Sequence, residues 1–120
     1  MSRRVLIVED EPILRKHLAR ALARAGFTVE TAATRAEAAA HLQRTAYDAL
    51  LLDVKLPDGD GLELLASLDA AHRPPHTVVM TAYSSSDNDA RAAHLQIEPL
   101  LRKPVDVPEV VQRMSDVRRG

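Results

Sequence analysis

The run Tyr47-Asp48-Ala49-Leu50-Leu51-Leu52-Asp53 leaves this chain few ways to fold. A short apolar stretch with turn residues behind it predicts a strand buried on both faces, the kind found in parallel sheets. The Leu56-Pro57-Asp58-Gly59 that follows cannot continue a strand, so Asp53 stands where the chain leaves the sheet. In open parallel sheets that carboxyl-terminal edge is where ligands bind. On its own Asp53 reads as a turn or helix cap, and only the residues at the other strand ends change that reading.

Those ends come from dividing the whole chain. Arg4-Val5-Leu6-Ile7-Val8 predicts a first strand, ended by Glu9-Asp10-Glu11-Pro12, with Pro12 opening a helix. In that helix Ile13, Leu14, Leu18, Ala21, Leu22 and Ala25 recur at helical spacing toward a core, and Gly26 supplies the stop. Phe27 to Thr31 predicts a second strand, and Thr34-Arg35-Ala36-Glu37 a capping box opening a helix to about Arg44. After Asp53, a helix runs from Gly61 to about Leu68 with Leu62, Leu65 and Leu68 inward, with Asp58 and Asp60 as turn residues beside Gly59 and Gly61. His76 to Thr81 predicts a fourth strand, Ser86 a cap for a helix through about Leu95, and Pro99 to Arg102 a fifth strand ending at Lys103-Pro104. Asp106-Val107-Pro108-Glu109 offers a second capping box for a last helix to about Val117. Strands alternating with helices in this way predict a parallel α/β sheet.

With 120 residues the chain has the size of one domain, 1–120, and Arg118-Arg119-Gly120 reads as the start of a linker. The net charge of −1 gives no basic field for nucleic acid, and three aromatic residues (Phe27, Tyr47, Tyr83) make no base-stacking platform. No apolar run is long enough to cross a bilayer, no signal peptide precedes the first strand, and cysteine is absent. These features predict a cytoplasmic domain without direct nucleic-acid or membrane binding. His17, His41, His72, His76 and His94 have no partner at ligand spacing and read as surface residues.

Right-handed crossovers bring Glu9, Asp10, Asp53, Thr81 and Lys103 to one edge of the sheet. Three clustered carboxylates repel one another, more so when desolvated, and call for a cation. Oxygen donors without cysteine or paired histidine favour Mg²⁺, or Mn²⁺ in its place. A metal with a lysine beside it suits a phosphoryl group, and a neighbouring aspartate can act as the nucleophile that accepts one.

Val8-Glu9-Asp10, Asp53 with Leu56-Pro57-Asp58-Gly59-Asp60-Gly61, Met80-Thr81-Ala82 and Lys103-Pro104, in this order and each at a strand end, resemble the receiver domain of response regulators of two-component systems along essentially the whole chain. The resemblance implies a flavodoxin-like (βα)5 fold, a five-stranded parallel sheet of order 2-1-3-4-5 with helices on both faces, a topology for which a receiver is a standard example. It implies that Asp53 accepts a phosphoryl group from a sensor histidine kinase or a phosphotransfer protein. Asp10, Asp53 and the Lys55 main-chain carbonyl would bind Mg²⁺ directly, and Glu9 mostly through a metal-bound water. Thr81 would hydrogen-bond the phosphoryl oxygen, Lys103 would pair with it or beforehand with Asp53, and Lys103-Pro104 would be a cis peptide. The output would be a change in partner binding or a homodimer through the face of the fourth helix, fifth strand and fifth helix, and the chain reads equally as a piece of a longer regulator whose effector domain is missing here or as a single-domain regulator. Such a domain is no enzyme beyond its own phosphoryl transfer and autodephosphorylation.

Three residues depart from the family pattern. Leu100 stands where receivers carry Tyr or Phe, and Gln96-Ile97 replaces a Gly-Ala pair. The phosphoryl chemistry is expected to survive both, and Leu100 to stay packed. Tyr83, two residues after Thr81, is expected to shield the phosphoryl group from water. Two alternatives remain at this point. One is a pseudo-receiver, an interaction module that works without phosphate. The other is a Mg²⁺-dependent phosphatase of the haloacid dehalogenase type, which places a second acid two residues after its nucleophile, where this chain has Lys55.

Overall fold

The computed structural model describes residues 3–82, 86–95, 97 and 100–115. Strand β1 (Arg4–Val8) leads into α1 (Pro12–Arg24), β2 (Thr28–Ala32), α2 (Arg35–Arg44) and β3 (Ala49–Asp53). Then come two short strands, β4 (Lys55–Leu56) and β5 (Gly59–Asp60), followed by α3 (Gly61–Ser67), β6 (His76–Thr81), α4 (Ser86–His94), β7 (Leu101–Arg102) and α5 (Val107–Ser115). The main sheet has the order β2-β1-β3-β6-β7, all neighbours parallel. This is the expected order of five strands, renumbered because β4 and β5 pair antiparallel by themselves just after Asp53.

Alternation along the strands explains the two-sided core. Leu6, Val8, Leu50, Leu52 and Val79 face one way, onto Ala38 and Leu42 of α2 and Leu62 and Leu65 of α3. Val5, Ile7, Ala49, Leu51, Val78 and Met80 face the other, onto Leu18 and Leu22 of α1 and Val110 and Met114 of α5. Every residue of β3 is buried, as its unbroken apolar run requires. Leu100 packs partly buried against the α2–α3 side.

Local chemistry sets the boundaries. Gly26 has a φ of +102°. Its N–H donates to the Ala23 carbonyl (3.0 Å), and the Phe27 N–H to the Leu22 carbonyl (3.1 Å). These two bonds close α1 in a Schellman motif. They commit the Phe27 backbone to the helix end, so β2 begins at Thr28 and not at Phe27 as expected. Thr34 caps α2 by accepting from the Glu37 N–H (3.1 Å), while Glu37 Oε1 reaches back to the Ala33 N–H (2.8 Å).

Several expectations are corrected. Ile13 is 69% exposed, because it shares a helix face with His17 and Arg20 and not with Leu14, Leu18 and Leu22. Ala25, at the helix end, is also exposed. His76 is buried and its Nε2 lies 2.9 Å from the Arg113 carbonyl, so it is no surface residue. Strand β3 starts at Ala49, because the Asp48 carboxylate is taken by the Arg4 N–H (2.7 Å). Ser86 lies within α4. Tyr83, Gln96, Pro99, Val117 and the tail 118–120 lie outside the described residues. Among the described residues no helix is long and apolar enough to cross a membrane.

Candidate functional site

The site is assembled from the carboxyl ends of four sheet strands. β1 hands on directly to Glu9, whose N–H bonds the Ala32 carbonyl at 3.0 Å and so extends the ladder by one residue. Asp53 closes β3 and Thr81 closes β6. Lys103 follows β7, its N–H donating to the Thr81 carbonyl at 2.8 Å. The Lys103–Pro104 peptide is cis, as the resemblance implies.

Glu9, Asp53 and Thr81 are buried, whereas Asp10 is exposed at the rim. Carboxylate oxygens of Glu9, Asp10 and Asp53 lie within 4.8 Å of one another. The Lys103 ammonium donates to Asp53 Oδ2 (2.8 Å) and lies 2.6 Å from Glu9 Oε1. The second contact is close but poorly angled, so this buried oxygen has a counter-charge without a well-directed hydrogen bond. Glu9 Oε2 accepts from the Glu11 N–H at 3.0 Å, and Asp53 Oδ1 from the Lys55 N–H at 3.2 Å. Arg15, on the first turns of α1, donates from Nη1 to the Glu9 carbonyl (2.9 Å) and the Asp10 carbonyl (3.3 Å).

Electrostatics follow from this packing. Burial raises the Glu9 carboxyl above its ordinary value, and the Asp53 charge adds to the rise against the pull of Lys103. Burial works to lower the Lys103 ammonium, but its bond to Asp53, its close contact with Glu9 and the charges of both outweigh that, so it ends above its ordinary value. One lysine therefore holds two buried acids that would otherwise repel. The donor set is all oxygen, and Glu9 Oε1 has unused acceptor capacity in a dry setting. A hard divalent cation fits both features.

The structure thus brings together Glu9, Asp10, Asp53 and Lys103, with Thr81 on the adjoining strand and Lys55 at the start of β4. Tyr83 lies outside the described residues. Sequence reasoning missed three things. Arg15 gives no signal beyond its place on the helix after Asp10. Asp58 is more than a turn residue, since its carboxylate accepts the Arg35 (2.7 Å) and Ala36 (3.0 Å) N–H groups at the start of α2. Asp60 caps α3 through the Leu62 (2.7 Å) and Glu63 (3.1 Å) N–H groups and also pairs with Arg91 of α4.

Comparison with known proteins gives a consistent picture. Residues 5–115 match the family model of the response regulator receiver domain. The chain is 35% identical over 115 residues to the swarming motility regulation protein RssB of Serratia marcescens, covering 96% of this chain and 52% of that protein. It therefore spans about half the length of that curated relative. Among solved structures, the non-phosphorylated HemR receiver domain of Leptospira biflexa superposes with a TM-score of 0.88 at 27% identity, over 99% of this chain and 98% of that one. A response regulator protein of Burkholderia pseudomallei, solved with a phosphorylated aspartic acid, a calcium ion and citrate, gives 0.83 at 25% identity, over 94% and 66%.

Proposed function

This chain belongs to the response regulator receiver domains, a signalling family, and from that premise we propose that Asp53 is its phosphoacceptor in a phosphorelay. The observation that carries the reading is the Lys103 ammonium placed between Asp53 and Glu9, at 2.8 and 2.6 Å. An Asp53 oxygen attacks the phosphorus of a phosphohistidine on a sensor histidine kinase or phosphotransfer protein. The P–N bond breaks and the imidazole departs. Lys103 then moves its contact from the carboxylates to a phosphoryl oxygen, and Thr81 hydrogen-bonds another. Glu9, Asp10, Asp53 and the Lys55 carbonyl would hold Mg²⁺, which when bound neutralises charge on the transferring group. The Burkholderia relative was solved with a calcium ion and a phosphorylated aspartic acid, which supports a divalent cation here.

The new group carries about −1.5 to −2 charges, enough to bias a two-state equilibrium in a nearly closed site. The output is a changed affinity for a partner or a homodimer through α4, β7 and α5. We read residues 1–120 as one receiver domain acting in the cytoplasm, without direct contact to nucleic acid or membrane. Its own chemistry is limited to accepting and hydrolysing the phosphoryl group. The intact acid cluster argues against a pseudo-receiver, and family membership leaves the phosphatase alternative without support.

Incubation with Mg²⁺ and a small phosphodonor such as phosphoramidate tests the reading. Intact-mass spectrometry is expected to show one added phosphoryl group in the wild type and none in Asp53→Asn. An unmodified wild type, or an equally modified variant, would refute it.

A further inference from the structure

Two of the three clustered acids, Glu9 and Asp10, sit on the turn between β1 and α1, where, among the described residues, the Glu11 N–H donates to Glu9 Oε2 (3.0 Å) but nothing within the turn holds Asp10. The N-cap of α1 is Glu11, extended at φ −78° and ψ 117°, with no side-chain capping bond. Among the described residues no hydrogen bond or ion pair fixes the Asp10 carboxylate, which is exposed. Arg15 reaches across the turn as well. Its Nη1 donates to the Glu9 carbonyl (2.9 Å) and the Asp10 carbonyl (3.3 Å), spanning both acid-bearing residues from within the helix that follows.

We propose that Arg15 is a positioning residue for divalent-cation binding, bridging the Glu9 and Asp10 carbonyls so that both carboxylates are aimed at one point with Asp53. The inference rests on the reading of this cluster as a cation site. A guanidinium beside three acids acts in two opposed ways. Its charge repels a cation and weakens binding. Its rigid pair of N–H groups removes freedom from the turn and strengthens binding, since partners that orient metal ligands are typically worth about 10–100-fold in affinity. The two effects predict opposite signs when the side chain is removed. The acceptors are main-chain carbonyls of the turn itself, so geometry is what Arg15 controls most directly.

The test is a Mg²⁺ titration of wild type, Arg15→Met and Arg15→Lys, followed by the amide resonances of Glu9, Asp10 and Asp53, with melting measured in EDTA. Arg15→Met is expected to bind Mg²⁺ about 10-fold more weakly or worse. Arg15→Lys, which keeps the charge but not the fork, is expected to fall between. Tighter or unchanged binding by a folded Arg15→Met would overturn the inference, even if its melting point drops, because a merely structural arginine would shift melting alone. Should Arg15→Met not fold, Arg15→Lys decides: affinity at or above wild type overturns the proposal, and a loss upholds it. A wild type that ignores Mg²⁺ would refute the cation site itself, a different failure from tight wild-type binding that Arg15→Met leaves intact.

Discussion

Arg91 grips the Asp60 carboxylate with both of its Nη atoms, at 2.8 and 3.0 Å, and so ties α4 to the first turn of α3. Asp60 is thereby shared, since the same carboxylate accepts the Leu62 and Glu63 N–H groups of that turn. Burial would raise its carboxyl, but the Arg91 bond and the helix N–H donors hold it below the ordinary value. Removing it should cost a cap, worth about 1 kcal/mol, and a half-exposed ion pair worth about 1 kcal/mol or less. Asp60→Ala is expected to lose about 1–2 kcal/mol in urea unfolding and to speed amide exchange in α4. Asp60→Asn, which can still cap, should lose clearly less. Equal losses in the two variants would show that the Arg91 grip contributes most of the effect.

Gly61 sets a contest between two effects of known sign. Gly61 is the first residue of α3, and since a helix interior favours Ala over Gly by about 1 kcal/mol, an open site here would gain at most that from Gly61→Ala. Here a Cβ would collide with the Asp53 carbonyl oxygen and press on Leu52 Cγ at 3.1 Å. The Gly61 N–H also sits 2.6 Å from the Val54 carbonyl, so the backbone has no room to retreat. We expect Gly61→Ala to be destabilised by about 1–3 kcal/mol, the usual range for overpacking, and to accept phosphate more slowly than wild type. Urea unfolding and the initial rate of mass gain with phosphoramidate check the two parts.

Tyr47 supplies the pH dependence. It is buried just ahead of β3, and its hydroxyl bonds the Glu30 carboxylate and lies 3.2 Å from His41 Nδ1. Burial first, then the bond to Glu30, pushes the phenol from 10.0 up to about 12. A folded-state value above the unfolded one means the contribution is complete below pH 10 and is lost as pH rises toward 12. Tyr47→Phe should therefore be about 1 kcal/mol less stable than wild type at pH 7, with the gap closing between pH 10 and 12. Stability curves of both proteins across that window are the measurement.

The frame and the acids were legible because both depend on local order. Short continuous apolar runs, each ended by a polar or charged residue and turn signals, place Glu9, Asp10, Asp53, Thr81 and Lys103 without any knowledge of packing. Contacts between distant segments left no such trace. Nothing adjacent to Asp60 in the chain points to Arg91, and nothing near Asp58 points to the start of α2. His76 looked exposed beside two prolines, yet its ring is buried against the Arg113 carbonyl of a helix far along the chain. Ile13 differs for another reason: residue type alone places it with the core, whereas its angle on α1 puts it on the outer face with His17 and Arg20.

Lys103 gives the strongest of these expectations, because it neutralises two acids at once. Its side chain is 17% exposed, that of Asp53 5% and that of Glu9 fully buried. Breaking a buried pair by removing one partner strands the other, at a cost of about 3–5 kcal/mol. Lys103→Met leaves Glu9 and Asp53 facing each other without a counter-charge, so metal-free protein at pH 7 should lose about 3 kcal/mol. The sign with pH runs opposite to the usual carboxylate case. Glu9 is already raised above 4.5 by burial, so its ionised form opposes folding, and removing the ammonium raises it further. The variant should therefore regain stability as pH falls from 7 toward 4.5, while Glu9 takes up a proton. It should regain it at pH 7 on adding Mg²⁺, by a larger increment than wild type, since the cation then meets uncompensated acids. Urea unfolding at three pH values, in EDTA and in Mg²⁺, separates these arms. A variant as stable as wild type at pH 7 in EDTA would mean that the Lys103 contacts do not hold the site together.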